Sequence, residues 1–125
     1  MPGNANRPII LSGFSQGAIM ALSYTLLHPD DGAGVIAFSG YIPEMVLDAV
    51  PGRVSEAVAP RVFLTQGRRD QLFPFSRLQE TTTQLMARGI RPTSFAHDGA
   101  HEIPLAAVEA ARSWVAQEFP TGKRA

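Results

Sequence analysis

The sequence predicts an α/β protein with about four parallel strands and flanking helices. Short, unbroken apolar runs rich in branched and aromatic residues alternate along the chain with longer segments whose apolar residues repeat at helical spacing. Strand followed by helix, repeated in this order, is typical of a parallel sheet with right-handed crossovers. Active sites of such sheets lie at the carboxyl ends of the strands, so the residues directly after each apolar run are the first to consider for function.

Three of the apolar runs predict strands that are buried on both faces. They occupy residues 9–11, 35–38 and 62–64, and each is ended by glycine or polar residues. Residues 93–96 form a fourth candidate, which is supported more by its place in the alternating pattern than by its composition.

Three segments predict helices. Residues 16–27 are apolar nearly all round, as expected of a helix held between a sheet and other elements, and Pro29 ends the pattern because proline disfavours helix at the preceding residue. Apolar residues repeat at helical spacing over residues 75–89 and 105–119, which predicts two amphipathic helices. Residues 44–59 combine a short helical pattern with a Pro-Gly pair, and we expect a loop with one or two helical turns there.

Length and composition indicate one soluble globular domain. The chain has 125 residues, of which 45% are apolar and 18% charged. Lysine plus arginine equals aspartate plus glutamate at 11 each, so no positive field favours nucleic acid or an anionic membrane as a partner. The sequence has no cysteine and no apolar run long enough for an export signal or a membrane span. We therefore expect a cytoplasmic protein without disulfides, thiolate metal sites or a cysteine nucleophile.

Residues 13–17, directly after the first predicted strand, have the pattern G-x-S-x-G and lead into a predicted helix. A sharp strand-to-helix turn needs small residues two positions either side of the serine, and it presents the serine hydroxyl to solvent. Ser15 is therefore the candidate nucleophile. The alternative is a glycine-rich turn that holds a phosphate on its amide groups, but neither a P-loop lysine nor a G-x-G-x-x-G pattern accompanies it.

A serine hydroxyl needs a base to take its proton, normally a histidine oriented by a carboxylate. The chain has three histidines, and His28, which precedes proline, is most simply a surface or capping residue. His97 and His101 both follow the fourth predicted strand. His101 is favoured because Gly99 and Ala100 place it in a loop before the last helix, where its ring can turn toward the serine. For either histidine the alternative is a solvent-exposed loop residue.

The carboxylate should follow a strand between the serine and the histidine, since serine hydrolases on such sheets have the chain order serine, acid, histidine. Asp70 comes shortly after the third apolar run and is the leading candidate. The alternative is a turn aspartate paired with Arg68 or Arg69. Asp98 is the reserve candidate, although its position on the same loop as His101 makes the usual cross-loop geometry harder.

A metal site is a weaker hypothesis. His97 and His101 are four residues apart, but the intervening Asp98-Gly99-Ala100 predicts a loop and not the helix that a zinc-binding pair of histidines uses. We therefore predict no metal site.

Four segments of the sequence, taken together and in order, are far more specific for one protein family than any single motif. They are Gly13-Phe14-Ser15-Gln16-Gly17, Phe38-Ser39-Gly40-Tyr41-Ile42-Pro43, Gly67-Arg68-Arg69-Asp70 with Phe73-Pro74, and Gly99-Ala100-His101-Glu102-Ile103-Pro104. Together they resemble the phospholipase/carboxylesterase family of α/β-hydrolases, which includes acyl-protein thioesterases and small bacterial carboxylesterases. The resemblance implies a triad of Ser15 as nucleophile, Asp70 as acid and His101 as base, and hydrolysis of short or medium acyl esters or thioesters without a cofactor.

Members of that family have roughly another half-domain before the serine turn, with the first strands of the sheet and a loop whose amide completes the oxyanion hole. We therefore expect residues 1–125 to be a single truncated α/β-hydrolase domain in which the backbone N–H of Gln16 is one oxyanion donor. The strand before Ser15 would then be an edge strand with unpaired amides and apolar faces. This predicts a homodimer, joined by these edge strands or by the uncovered face of the sheet.

The side chains of Phe14, Tyr41, Leu72 and Phe73 flank the predicted site and are candidates for lining an acyl pocket, with ordinary core packing as the alternative. The first functional hypothesis is a serine carboxylesterase or thioesterase acting on a small-molecule ester or thioester. The second is a non-catalytic hydrolase-like module that dimerises or binds another protein. The third is a fragment of a longer hydrolase whose recorded chain starts at an internal methionine.

Overall fold

Strands and helices alternate along the chain in the computed structural model, which describes residues 8–31, 34–50, 52–55 and 57–120. The predicted order of elements is confirmed. The strands are β1 (Ile10–Phe14), β2 (Gly34–Phe38), β3 (Arg61–Gly67) and β4 (Pro92–His97), and the helices are α1 (Gln16–Leu27), α2 (Glu44–Ala49), α3 (Ser76–Ala87) and α4 (Leu105–Glu118).

The four strands form one parallel sheet in the order β1-β2-β3-β4. Phe14 at the end of β1 pairs with Phe38, which pairs with Thr65 of β3. Thr65 in turn pairs with Phe95 of β4, so the carboxyl ends of all four strands lie along one edge of the sheet. The predicted α/β class, with four parallel strands and flanking helices, is confirmed.

Different helices cover the two faces of the sheet. On one face, Leu22 of α1 and Leu85 of α3 belong to a core that also includes residues of β2 and β3. On the other face, Trp114 of α4 packs against Phe63 of β3 with 5.4 Å between the ring centroids. Both faces of β2 and β3 are therefore covered, which explains why these strands have unbroken apolar runs rather than an alternating pattern.

The helices differ from the predictions mainly at their ends. The helix predicted over residues 75–89 begins at Ser76 and ends at Ala87, before Gly89, whose φ of 86° is incompatible with a continuing helix. The loop predicted over residues 44–59 contains α2, while Pro51 and Glu56 lie outside the described residues. None of the helices in the described part of the chain combines the length and the apolar character that a membrane span requires.

β1 lies at one edge of the sheet and pairs only with β2 among the described strands. Its residues are exposed or only partly buried, in contrast to β2 and β3, in each of which all residues but one are buried. The edge position that was predicted for the strand before Ser15 is thus observed in the described part of the chain.

Candidate active site

Ser15 forms the turn between β1 and α1. Its φ of 59° lies in the left-handed region and its ψ is −117°, a conformation that costs a non-glycine residue about 1 to 3 kcal/mol and persists only where the surroundings impose it. The backbone N–H of Ser15 donates to the carbonyl oxygen of Phe38 at 2.9 Å, which ties the turn to the end of β2. This is the strained strand-to-helix turn that the G-x-S-x-G pattern predicts.

The two glycines of this pattern have different surroundings. A Cβ atom on Gly13 would lie 2.8 Å from the backbone nitrogen of Ala18 and still closer to the carbonyl group of Gly17. A Cβ atom on Gly17 would meet nothing within 4 Å. The steric argument for a small residue therefore applies at Gly13, whereas the same expectation for Gly17 is wrong, because that position faces open space.

Gly13→Ala should destabilise the protein by about 3 kcal/mol, because the atoms it would displace are backbone atoms of α1 that have no alternative rotamer. Gly17→Ala is the matched control and should stabilise the protein by about 0.5 to 1 kcal/mol, since alanine favours helix over glycine. Urea unfolding followed by circular dichroism measures both free energies. Equal losses at the two positions would contradict this account of the turn.

His101 lies in the loop between β4 and α4 and contacts the other two predicted triad residues. Its Nε2 is 2.8 Å from Oγ of Ser15, and its Nδ1 is 2.7 Å from Oδ2 of Asp70. The serine and the aspartate lie 86 and 31 residues before the histidine. They follow β1 and β3, so the parallel sheet brings three separate loops together at its carboxyl edge.

Asp70 is buried and held at both carboxylate oxygens. Oδ1 accepts hydrogen bonds from the backbone N–H groups of Leu72 and Phe73, both at 2.8 Å, and Oδ2 accepts one from Nε2 of Gln66 at 3.0 Å. Burial raises the pKa of the carboxyl group, but the hydrogen bonds from Phe73, His101 and Leu72 outweigh it, so the pKa of Asp70 is lowered. Because the ionised carboxylate can only accept, we assign the imidazole proton to Nδ1, which leaves Nε2 as an acceptor.

The alternative bases and acids have other partners. Nδ1 of the buried His97 accepts a hydrogen bond from the backbone N–H of Gly99 at 3.0 Å. The side chain of Asp98 is 85% exposed, and its Oδ1 lies 2.8 Å from Nη1 of Arg68. Arg68 therefore forms an ion pair with Asp98 and not with Asp70. His28 is an exposed residue at the end of α1. Of the three histidines, the structure brings His101 to Ser15.

The loop that carries His101 packs against the end of β3. The backbone N–H of Arg68 donates to the carbonyl oxygen of His97 at 2.8 Å, and that of Arg69 donates to Gly99 at 3.0 Å. A Cβ atom on Gly67 would lie 2.8 Å from the His97 ring and closer still to two loop carbonyl groups. The close approach of the two loops therefore depends on glycine at this position.

Two of the predicted lining residues flank the imidazole of His101. The ring centroid of Phe14 is 4.9 Å from that of His101, and the centroid of Phe73 is 4.8 Å away in an edge-on arrangement. Tyr41 is one step farther out, with its centroid 5.2 Å from that of Phe73. The side chain of Leu72 is 68% exposed, and the backbone N–H of this residue donates to Oδ1 of Asp70.

Gln66 and Arg77 lie near the site but were not predicted. Gln66 is 1% exposed and contacts Asp70, and the guanidinium group of Arg77 lies 3.9 Å from the ring centroid of Tyr41. A polar residue within a buried strand is a signal that could have identified Gln66. A cation-aromatic contact between residues 36 positions apart leaves no sequence signal.

No group of three or more histidine, aspartate or glutamate side chains within the described ranges could hold a metal ion. A cavity of about 600 Å³ lies at the amino ends of β3 and β4, where Arg61, Thr93 and Trp114 are among its lining residues. Its lining does not include Ser15 or His101, so this cavity is separate from the site.

Solved structures with similar folds define the class of protein. Esterase PE8 is 29% identical, with a TM-score of 0.70 over 86% of this chain and 49% of that chain. SOBER1 of Arabidopsis thaliana is 22% identical and shows the fold alone, with a TM-score of 0.80 over 94% of this chain and 57% of that chain. The protein has the architecture of an α/β-hydrolase.

The family follows from the sequence comparison. The model of the Phospholipase/Carboxylesterase family matches residues 3–118, and the chain belongs to this family. A curated relative is Lysophospholipase-like protein 1 of Mus musculus, which is 26% identical over 113 residues. Those residues are 90% of this chain and 47% of the mouse protein, so the chain spans about half the length of this relative.

Proposed function

We propose that the protein is a serine carboxylesterase or thioesterase that hydrolyses short to medium acyl esters or thioesters through Ser15, His101 and Asp70. The observation that carries this proposal is the continuous hydrogen-bonded chain from Oγ of Ser15 through the imidazole of His101 to the buried carboxylate of Asp70. Membership of the phospholipase/carboxylesterase family supports the same reaction class.

In the proposed first step, Nε2 of His101 takes the proton of the Ser15 hydroxyl while Oγ attacks the carbonyl carbon of the substrate. The carboxylate of Asp70 accepts the hydrogen bond from Nδ1–H and stabilises the imidazolium ion that forms. The imidazolium then gives its proton to the leaving alcohol or thiol, which leaves an acyl group on Oγ. In the second step, the same nitrogen deprotonates a water molecule that attacks the acyl group, and the imidazolium then returns this proton to Oγ of Ser15 as the bond to the acyl group breaks and the acid is released.

The backbone N–H of Gln16 is the proposed oxyanion donor. Gln16 is the first residue of α1, so its N–H is not needed for hydrogen bonds within the helix and lies at the positive end of the helix dipole. A single oxyanion donor contributes about 3 to 4 kcal/mol of transition-state stabilisation. The reaction therefore depends strongly on how the substrate carbonyl is placed beside this turn.

The aromatic side chains around His101 are the proposed contacts for the acyl part of the substrate. Phe14 is 38% exposed and adjoins Ser15 in sequence, and Leu72 is also exposed beside the site. Phe73, in contact with the imidazole, and Tyr41, in contact with Phe73, extend this apolar surface. Apolar contacts of this kind recognise hydrocarbon without directional hydrogen bonds.

A fluorophosphonate probe tests the proposal, because it reacts with an activated serine hydroxyl and needs no guess about the natural substrate. We expect one probe per chain on Ser15, mapped by peptide mass spectrometry, together with turnover of p-nitrophenyl acetate and butyrate. Labelling of another serine would reassign the nucleophile. The absence of both labelling and turnover would instead support a non-catalytic hydrolase-like module.

We also propose that the chain forms a homodimer through β1, because this strand lies at the sheet edge and is at most partly buried. Static light scattering at micromolar concentration should give twice the 13.5 kDa mass of one chain. Ser12→Lys, at an exposed position of β1, should shift the protein toward the monomer, since an edge charge opposes strand pairing. A monomeric parent would overturn the proposal.

The cytoplasm remains the predicted location of the protein.

A further inference from the structure

We propose that Gln66 is a positioning residue, which sets the orientation and the hydrogen-bonding strength of the Asp70 carboxylate toward His101. This inference rests on the proposed function of the site. Gln66 lies near the end of β3 and is 1% exposed, so its amide group has been withdrawn from water. A buried amide is costly unless it is hydrogen-bonded, so its partners have structural consequences.

The amide nitrogen of Gln66 bridges two groups that surround the imidazole. Nε2 lies 3.0 Å from Oδ2 of Asp70 and 2.8 Å from the carbonyl oxygen of Phe73. An amide NH₂ group has two protons and can donate to both acceptors at once. Asp70 binds Nδ1 of His101, and the ring of Phe73 packs edge-on against the same imidazole. One side chain therefore restrains both of these neighbours of His101.

The two oxygens of Asp70 are held in different ways. Oδ1 is held by the two backbone N–H groups of its own turn, those of Leu72 and Phe73. Oδ2 receives the Gln66 amide and the His101 imidazole, both of which are side-chain donors. A second donor on Oδ2 takes part of its negative charge, so the histidine meets a weaker acceptor than it would without Gln66. Gln66 thus affects the basicity of the Asp70–His101 pair as well as its geometry.

Two substitutions separate these effects from simple packing. Gln66→Met keeps a side chain of similar length and removes the donor, while Gln66→Glu keeps the shape and places a second carboxyl group beside Asp70. Gln117→Met and Gln117→Glu are the matched controls, because Gln117 is an exposed residue near the end of α4. Circular dichroism and thermal unfolding identify the folded variants.

For the Gln66 variants, we expect kcat for p-nitrophenyl acetate to fall about 10- to 100-fold with a smaller change in KM, because the base is misplaced while the proposed Phe14 contact to the substrate does not involve Gln66. The acid limb of the pH profile of kcat/KM should move to higher pH in Gln66→Met, since the loss of the amide donor leaves more negative charge on Oδ2 of Asp70, facing the imidazole. The Gln117 controls should match the parent. A purely structural role would lower the amount of folded enzyme and leave the pH profile in place, and that result would overturn the proposal.

A second readout does not depend on turnover. The Nδ1 proton of His101, shared with Asp70, should give a low-field proton NMR signal that is absent from Asp70→Asn. The signal should shift or broaden in Gln66→Met and stay unchanged in the Gln117 controls. An unchanged signal in a folded Gln66→Met protein would overturn the inference even if the parent has no esterase activity. Absence of Ser15-dependent turnover in the parent would instead overturn the proposed function.

Discussion

Ser15→Ala is expected to reduce kcat for the hydrolysis of p-nitrophenyl acetate by at least about 10³-fold and up to about 10⁶-fold. The substitution removes the oxygen that lies 2.8 Å from Nε2 of His101 and that would form the acyl-enzyme. The rest of the turn is held by backbone contacts, including the hydrogen bond from Ser15 N–H to Phe38. The free energy of unfolding should therefore change by about 1 kcal/mol or less.

Ser94→Ala is the control for this comparison, because Ser94 is an exposed serine in β4 whose loss should leave turnover unchanged. Initial rates of purified parent and variant proteins, at equal concentration and with the spontaneous hydrolysis subtracted, measure the effect. Residual turnover by Ser15→Ala at the parental rate would show that the activity comes from another group or a contaminant. It would remove the main support for the serine hydrolase proposal.

Asp70→Asn is expected to lower kcat by about 10⁴-fold while the protein stays folded. The amide oxygen of the asparagine should take the place of Oδ1, because the N–H groups of Leu72 and Phe73 require an acceptor there. Its NH₂ group would then face Nδ1 of His101 and donate to it. This hydrogen bond forces the imidazole proton onto Nε2, the nitrogen that must accept the proton of Ser15.

Asp98→Asn is the matched control, since it makes the same chemical change at an exposed carboxylate on the loop that carries His101. It should retain parental activity. The lowered pKa of Asp70 also predicts the effect of pH on the parent protein. The Asp70 carboxylate should stay ionised as the pH falls toward the range in which an ordinary aspartate titrates. Protonation of Asp70 should therefore not be the cause of any loss of parental activity above that range. If Asp98→Asn lost most of its activity while Asp70→Asn stayed near the parental activity, Asp98 and not Asp70 would be the acid of the triad.

Much of the fold was predictable from local patterns. The apolar runs of β2 and β3 indicate strands covered on both faces, and the long apolar segment before Pro29 indicates a helix. These patterns are visible in the sequence because burial on a sheet or helix face selects residues at fixed spacing. The exact ends were less predictable, since they depend on turn contacts such as those around Gly89.

The candidate site was predictable in its residue types and in its chain order. Ser15 follows the first strand, Asp70 follows the third, and His101 follows the fourth, and parallel strands bring such positions to one edge. The sequence alone left His97 and Asp98 as alternatives, because spacing along a loop does not define where each side chain points. The hydrogen bonds of the loop decide that, by turning His97 toward Gly99 and Asp98 toward Arg68.

By itself, the sequence determined the α/β class, the order of its elements and a short set of candidate residues, because each of these depends on local periodicity or on the chemistry of a residue type. Only the tertiary structure decided that Gly13 is crowded while Gly17 is not, that Phe14 and Phe73 flank one imidazole, and that the Gln66 amide reaches Asp70. These are contacts between segments that approach one another in space. Their distances are set by the packing of the whole sheet and its loops, which no local pattern encodes.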